Sequence, residues 1–226
     1  MVLLFSRIIC YKSWGLSCCY HPWFPLPPPS PASINESDNI MTTYTTAGAE
    51  VEAWLRDILR IHRRRLRFLV VGLDAEWLPE RRRGEHNPVA LLQLCVGRRC
   101  LLFHIIHADY VPRELARFLG DSRFNFVGVR VDYDARKLAE DYELQVRNAV
   151  ELGGLAAGEL QREELRRAGL SGLARVVMGV DQLEKSKRVT LSRWDAPWLS
   201  LQQVKYACVD AFVSFEVGRR LLAGDF

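Results

Sequence analysis

The run Phe68-Leu69-Val70-Val71-Gly72-Leu73 is continuous, apolar and of strand length, and it ends in two acids, Asp74 and Glu76. A strand without polar alternation is buried on both faces, which places it inside a sheet covered by helices. Ahead of it, Val51 to His62 reads as a helix with Val51, Trp54, Leu55, Ile58 and Leu59 on one side. Behind it, a polar stretch from Pro79 to Pro88 leads into two strands, Val89 to Val96 and Arg99 to His104, joined as a hairpin by a turn at Gly97. A short helix from Pro112 to Leu119, a strand from Phe124 to Val131, a helix from Tyr133 to Tyr142 and a short strand from Asn148 to Leu152 follow. Helical patterns broken by Gly158, Gly169 and Gly172 lead to a final helix. Ser200 is its N-cap, and its buried side carries Val204, Ala207, Cys208, Ala211, Phe212, Phe215 and Leu222. This order predicts a single α/β domain, a mixed β-sheet flanked by helices.

Residues 1–45 differ in character. They carry Trp23-Phe24-Pro25-Leu26-Pro27-Pro28-Pro29, Arg7, Lys12, several serines and no acid before Glu36. They are expected to form a disordered leader, with the folded domain spanning residues 46–226. Few acids among serines and basic residues also suits an organellar transit peptide, and a start at Met41 is a further alternative. The apolar opening Val2 to Phe5 is cut by Ser6-Arg7 and makes a weak signal-peptide core, and nothing amphipathic flanks Cys18-Cys19 for acylation. The expected address is nucleus or cytoplasm, with an organelle as the alternative should the leader be a transit peptide.

The formal charge of +4, from 31 basic and 27 acidic residues, says little about partners. Basic residues cluster at Arg63 to Arg67, Arg81 to Arg83, and Lys185 with Lys187-Arg188, and such runs are ordinarily solvated surface. The six cysteines show no zinc-finger spacing. Cys95, Cys100 and Cys208 sit in apolar runs and read as small buried residues in a reduced compartment. No stretch approaches the roughly 20 apolar residues of a membrane span, and no Ser-His-Asp or Cys-His context for nucleophilic catalysis is present.

The acids carry the chemistry. Period-two alternation turns Asp74 and Glu76 to one face of their strand. Two like charges buried together are costly unless a cation lies between them, and oxygen-only ligands favour magnesium or manganese. Alone, Asp-x-Glu is more often two solvated acids closing a strand. Tyr206 and Asp210, four apart on the last helix, project from one face one turn apart. Asp134 opens a helix, where an aspartate also serves as a cap, and Asp132 competes with it for any role.

Taken together, these segments resemble a known family. The core Gly72-Leu73-Asp74-Ala75-Glu76-Trp77 resembles the first motif of the DEDDy 3'-5' exonucleases. The nearest branch looks like the exonuclease domain of the Werner syndrome protein and its plant relatives, with RNase D more distant. Val127 to Leu138 resembles the second motif, with the acid three residues before Lys137-Leu138, which selects Asp134 over Asp132. Leu199-Ser200, Gln203, Tyr206-Ala207 and Asp210-Ala211 resemble the third, and Val89 to Cys95 is similar to the family's second strand. Three positions depart from the pattern. Arg130 stands where relatives often have glycine, Phe212 replaces a tyrosine, and Glu151-Leu152-Gly153-Gly154 lacks the acid often found after that strand.

The resemblance implies an RNase H-like fold and a metal-dependent 3'-5' exonuclease releasing nucleoside 5'-monophosphates from DNA or RNA. It implies that Asp74, Glu76 and Asp210 hold one of two divalent ions, Mg2+ or Mn2+. Asp74 bridges to the second and Asp134 supports it. Tyr206 would orient the attacking water, since a phenol of pKa about 10 is a poor base at neutral pH. Trp77 and Leu78 are candidates to pack on the terminal nucleotide. Lys185, Lys187, Arg188 and Arg193 are candidates to grip phosphates, with Arg81 to Arg83 as a second set. His86, His104 and His107 lack ligand spacing and receive no role. Nucleic acid is the expected partner, and any helicase would be a separate chain. The opposing reading is a nucleic-acid-binding scaffold that kept this fold and lost turnover; Arg130 is the one feature that favours it.

Overall fold

The computed structural model describes residues 7–11, 17–19, 39–80, 82, 84–180 and 187–226, with side chains from residue 40 onward except that of Lys187. The strands are β1 (Arg7–Tyr11), β2 (Ser17–Cys19), β3 (Asn39–Thr45), β4 (Val70–Trp77), β5 (Val89–Val96), β6 (Arg99–Phe103), β7 (Asn125–Gly128) and β8 (Ala149–Glu151). The helices are α1 (Gly48–Ile61), α2 (Arg113–Leu119), α3 (Val131–Tyr142), α4 (Leu152–Glu159), α5 (Leu170–Met178), α6 (Lys187–Thr190) and α7 (Leu201–Ala223). The described strands form one mixed sheet in the order β2-β1-β3-β6-β5-β4-β7-β8. Strands β4, β5 and β6 run as an antiparallel meander, while β3, β7 and β8 each pair parallel to a neighbour.

Alternation along β4 divides the molecule into layers. Val71, Leu73 and Ala75 face one core with Val51, Trp54, Leu55 and Ile58 of α1, Leu115 and Phe118 of α2, and Leu138 of α3. Gly72, Asp74 and Glu76 share the opposite face, over which α7 lies. Helix α7 is shared between two clusters there. Val204, Ala207, Cys208, Ala211 and Phe215 pack on the β5–β6 side, and Val209, Val213, Val217 and Leu221 pack with α4 and α5. No helix among the described residues is long and apolar enough to cross a membrane.

The folded chain begins earlier than residue 46. Strand β3 pairs Met41 to Thr45 with Arg99 to Phe103, and Ile40 and Thr42 are buried. Its sequence, Asn-Ile-Met-Thr-Thr-Tyr-Thr, looks polar, yet Ile, Thr and Tyr are strong strand formers once one face is covered. Thr42 finds its partner in the Cys208 sulfur of α7, 2.9 Å away. β1 and β2 extend the same edge, so the expected disordered stretch before residue 45 contains paired strands at three places. The remainder of the leader lies outside the described residues.

Two further expectations change. The strand expected from Phe124 to Val131 ends at Gly128, because Arg130 adopts a left-handed conformation, φ 60°, and turns the chain into α3. Cys95 and Cys100, read as free apolar residues, are cross-strand partners in the hairpin and are joined as a disulfide. Cys208 is free and buried, as read.

Candidate active site

The third position of β4 is glycine because α7 crosses it at backbone contact. A Cβ on Gly72 would meet the Ala211 carbonyl oxygen at 2.1 Å and the Phe215 nitrogen at 2.6 Å. That approach sets Asp210, the residue before Ala211, beside Asp74 and Glu76. One carboxylate oxygen from each of the three lies within 4.8 Å of the others. Asp210 is buried, while Asp74 and Glu76 are half-buried. Asp74 keeps one oxygen on the Ala75 amide, which donates to it at 3.1 Å.

Asp134 stands outside this group of three, on the first turn of α3. Gly128 brings that helix close, since a Cβ there would lie 2.5 Å from the Leu73 carbonyl oxygen. Asp134 is 5% exposed, whereas Asp132 is exposed. Burial, then the charge of Asp74, pushes the Asp134 carboxyl up to about 9, opposed by the Arg130 guanidinium. Arg130 is exposed and acts on Asp134 as a charge. Its strained backbone is held by Glu151 at the end of β8. Glu151 accepts from Val131 N–H at 3.2 Å and also takes hydrogen bonds from the Arg130 and Gly153 amides. The acid of that segment thus caps α3.

Tyr206 is half-buried one turn before Asp210. Its hydroxyl accepts a hydrogen bond from Thr190 at 3.2 Å and makes one to Asp210. Burial, followed by the Asp210 charge, raises its pKa further above the ordinary phenol value. Ser200 caps α7 reciprocally with Gln203, so the helix carrying Tyr206 and Asp210 starts from a fixed point.

The nucleotide-facing candidates are placed unevenly. Trp77 is half-buried and packs on α3, its ring 5.6 Å from that of Tyr133 and 5.1 Å from Lys137 Nζ. Leu78 is also half-buried. Arg188 and Arg193 are exposed, and Arg193 makes a two-pronged ion pair with Asp195 at 2.8 Å. A surface pair of this kind is screened by solvent and contributes little to stability. Lys185, the Lys187 side chain, Arg81 and Arg83 lie outside the described residues. The loop between β4 and β5 is tied to α3. Lys137 Nζ donates to the Asn87 carbonyl at 2.9 Å, and Asp141 accepts from the Val89 amide at 2.7 Å and pairs with His86 at 2.6 Å.

Thr190, Glu151 and Gln93 were not legible as site residues. Gln93 is the direct cross-strand partner of Asp74, fully buried, and neither polar atom of its side chain has a hydrogen-bond partner among the described residues. A buried amide left this way is ordinarily satisfied by ordered water. A hydrated cation held by Asp74 would supply such water. The donor set is entirely carboxylate oxygen, the preference of Mg2+, Mn2+ or Ca2+, and three acids this close are costly without a cation. The residues present fit a divalent metal ion.

Comparison with known proteins agrees with this geometry. The 3'-5' exonuclease family profile matches residues 43–223. A 3'-5' exonuclease of Arabidopsis thaliana is 30% identical over 210 residues, covering 92% of this chain and 69% of that protein. The mouse bifunctional 3'-5' exonuclease/ATP-dependent helicase WRN is 34% identical over 153 residues, 67% of this chain but 11% of its own length. The crystal structure of Escherichia coli RNase D superposes with a TM-score of 0.65 at 17% identity, covering 81% of this chain and 45% of that one, which shows the shared RNase H-like fold. A single RNase H-like domain with clustered acids, matched along almost its whole folded length, belongs to the 3'-5' exonuclease family of nucleases.

Proposed function

We propose that this chain removes nucleoside 5'-monophosphates from the 3' end of DNA or RNA in a reaction that requires Mg2+ or Mn2+. Asp74, Glu76 and Asp210 would hold one ion, Asp74 would also serve a second, and Asp134 would support that second ion from α3. Such ions, when bound, stabilise charge on the attacking and departing oxygens of an in-line displacement. Tyr206 remains protonated at neutral pH and holds the attacking water through its hydroxyl. Trp77 and Leu78 border the terminal nucleotide. Arg188, Arg193, Lys185 and Lys187 meet phosphates farther along the strand.

The observation that carries this reading is the meeting of Asp74, Glu76 and Asp210 within 4.8 Å, from elements far apart in the chain. The test incubates 5'-labelled 3'-recessed duplex DNA and single-stranded RNA with each metal. A ladder shortening from the 3' end, abolished by EDTA and by Asp74→Ala, supports it. Binding without a ladder in either metal sinks it in favour of a scaffold. Whichever substrate is shortened faster assigns DNA or RNA. The same proposal places the protein in nucleus or cytoplasm, or in an organelle should the leader direct it there, with a separate helicase as a candidate partner. Microscopy of the tagged full chain and co-purification check those two parts.

A further inference from the structure

The hydroxyl of Thr190 holds the Tyr206 hydroxyl from the side opposite Asp210. Thr190 Oγ1 donates to Tyr206 Oη at 3.2 Å and thereby occupies a lone pair of the phenol. The phenol hydrogen is left to point the other way, toward Asp210 and the acids. Without that bond, the phenol oxygen loses the partner that stands opposite Asp210.

Thr190 is itself held more firmly than its place in the short helix α6 suggests. Its carbonyl accepts from the Trp194 indole N–H at 3.1 Å, and Trp194 is fully buried with its ring 6.1 Å from that of Tyr206. The Trp194 carbonyl accepts from His104 Nε2 at 3.1 Å, and His104 Nδ1 takes the Tyr44 hydroxyl at 2.9 Å. His104 is fully buried at the end of β6. The Trp194 bond requires hydrogen on Nε2, and burial favours the neutral imidazole, whose Nδ1 then accepts from Tyr44. Ser192 Oγ donates to the Val189 carbonyl at 2.6 Å, and Gln203 Nε2 to the Arg193 carbonyl at 3.2 Å. The sheet therefore fixes Thr190 through His104 and Trp194, and α7 fixes it through Gln203.

We propose that Thr190 is a positioning residue for the exonuclease reaction, which occupies one lone pair of the Tyr206 hydroxyl and keeps its O–H turned toward Asp210 and the acids, the side on which the reacting water would lie. The proposal rests on the reading of Tyr206 given above. It asks of Thr190 no contact with substrate or metal.

The test uses the full chain with saturating Mg2+ and a labelled oligonucleotide, comparing Thr190→Val, Thr190→Ala, Thr190→Ser and Tyr206→Phe with the double variant Thr190→Val/Tyr206→Phe. Loss of one hydrogen bond that orients a reacting group predicts a kcat lower by about tenfold in Thr190→Val with KM within about twofold. Thr190→Ser, which keeps the hydroxyl, stays near the wild-type kcat. The double variant is no slower than Tyr206→Phe, because Thr190 has nothing left to position. Thermal unfolding and Mn2+ affinity of Thr190→Val match the wild type, which a merely structural role would not allow; Thr190→Ala repeats the comparison should valine disturb α6. Wild-type turnover in Thr190→Val and Thr190→Ala, or additive losses in the double variant, overturns the proposal while leaving Tyr206 its role. Wild-type turnover in Tyr206→Phe instead overturns the reading of Tyr206.

Discussion

Gly72 of β4 and Ala211 of α7 touch through backbone alone: a methyl group on Gly72 would stand 2.1 Å from the Ala211 carbonyl oxygen. The next atoms are the Phe215 nitrogen and its Cβ, which are as rigid as the helix itself, so an added carbon moves the helix. The acids sit two and four residues along from Gly72 and one residue before Ala211, and their meeting depends on that approach. Gly72→Ala is expected to cost about 3 kcal/mol of stability and to weaken Mn2+ binding at least tenfold, since overpacking against backbone has no cheap relaxation. Urea unfolding and titration calorimetry on the same preparation check both parts. Unchanged metal affinity would show that the triad does not depend on this contact.

Much of this arrangement was legible from residues because it rests on local rules. The hairpin after β4 and the Ser200 cap are set by periodicity and capping chemistry and stand where those rules place them, whereas the apolar run enters the sheet only from Val70, Phe68 lying exposed in a short turn before it. Asp74, Glu76, Tyr206 and Asp210 lie on two well-patterned elements, so their faces followed once the elements were assigned. Asp134 needed the family resemblance, since nothing local separates it from Asp132 and burial does so only after folding. Strand β3 was missed because its threonines are polar and its partner β6 lies more than 50 residues on. Thr190 gave no signal because a four-residue helix has no periodicity and its link to Tyr206 spans 16 residues. The Cys95–Cys100 pair was readable in retrospect, since two residues flanking a tight turn at this spacing face each other in the hairpin.

Asp210→Asn separates stability from function. Removing one of three charges gathered within 4.8 Å relieves repulsion in the metal-free protein, while the amide oxygen remains an acceptor for Tyr206. The metal-free variant is expected to be more stable than wild type by about 1 kcal/mol. Wild type should gain about 2.7 kcal/mol in Mn2+ at a hundred times its Kd, and the variant should gain almost nothing. Denaturant midpoints with and without Mn2+ read both effects. A variant less stable than wild type without metal would mean that the cluster is already neutralised in another way.

Asp134 links metal binding to protons. In the unfolded chain an aspartate titrates near about 3.9, but in the fold burial and then the Asp74 charge push this one up to about 9. The folded state therefore keeps a proton that the unfolded state has shed. The stabilisation from this group is fully present below about pH 4 and is lost as pH rises through about 9. Metal-free wild type should lose stability across that window relative to Asp134→Asn, which has no proton to hold there. If the ion takes the ionised carboxylate, binding releases the proton, and affinity rises by up to about tenfold per pH unit below 9. Calorimetry of Mn2+ binding in two buffers of different ionisation enthalpy measures the released proton directly. Equal proton release by wild type and Asp134→Asn would remove Asp134 from the metal site.

Arg130→Gly is expected to move stability and metal affinity in opposite directions. Arg130 sits at φ 60°, where a side chain costs about 1–2 kcal/mol and glycine nothing. Glycine's greater freedom in the unfolded chain takes back part of that gain, about 0.4–1 kcal/mol. A net rise of about 0.5 kcal/mol remains, with the backbone bonds to Glu151 kept. The guanidinium, however, is the cation that opposes the rise of the Asp134 pKa. Its loss leaves that carboxyl harder to ionise and weakens Mn2+ binding at neutral pH. Because Arg130 is exposed, the weakening is larger at low salt than at high salt. Arg130→Lys keeps the charge and the strained backbone, so it should leave both quantities near wild type. Unfolding curves and metal titrations of the three proteins at two ionic strengths decide the matter. Tighter metal binding in Arg130→Gly would show that Arg130 obstructs the acids, as the scaffold reading requires.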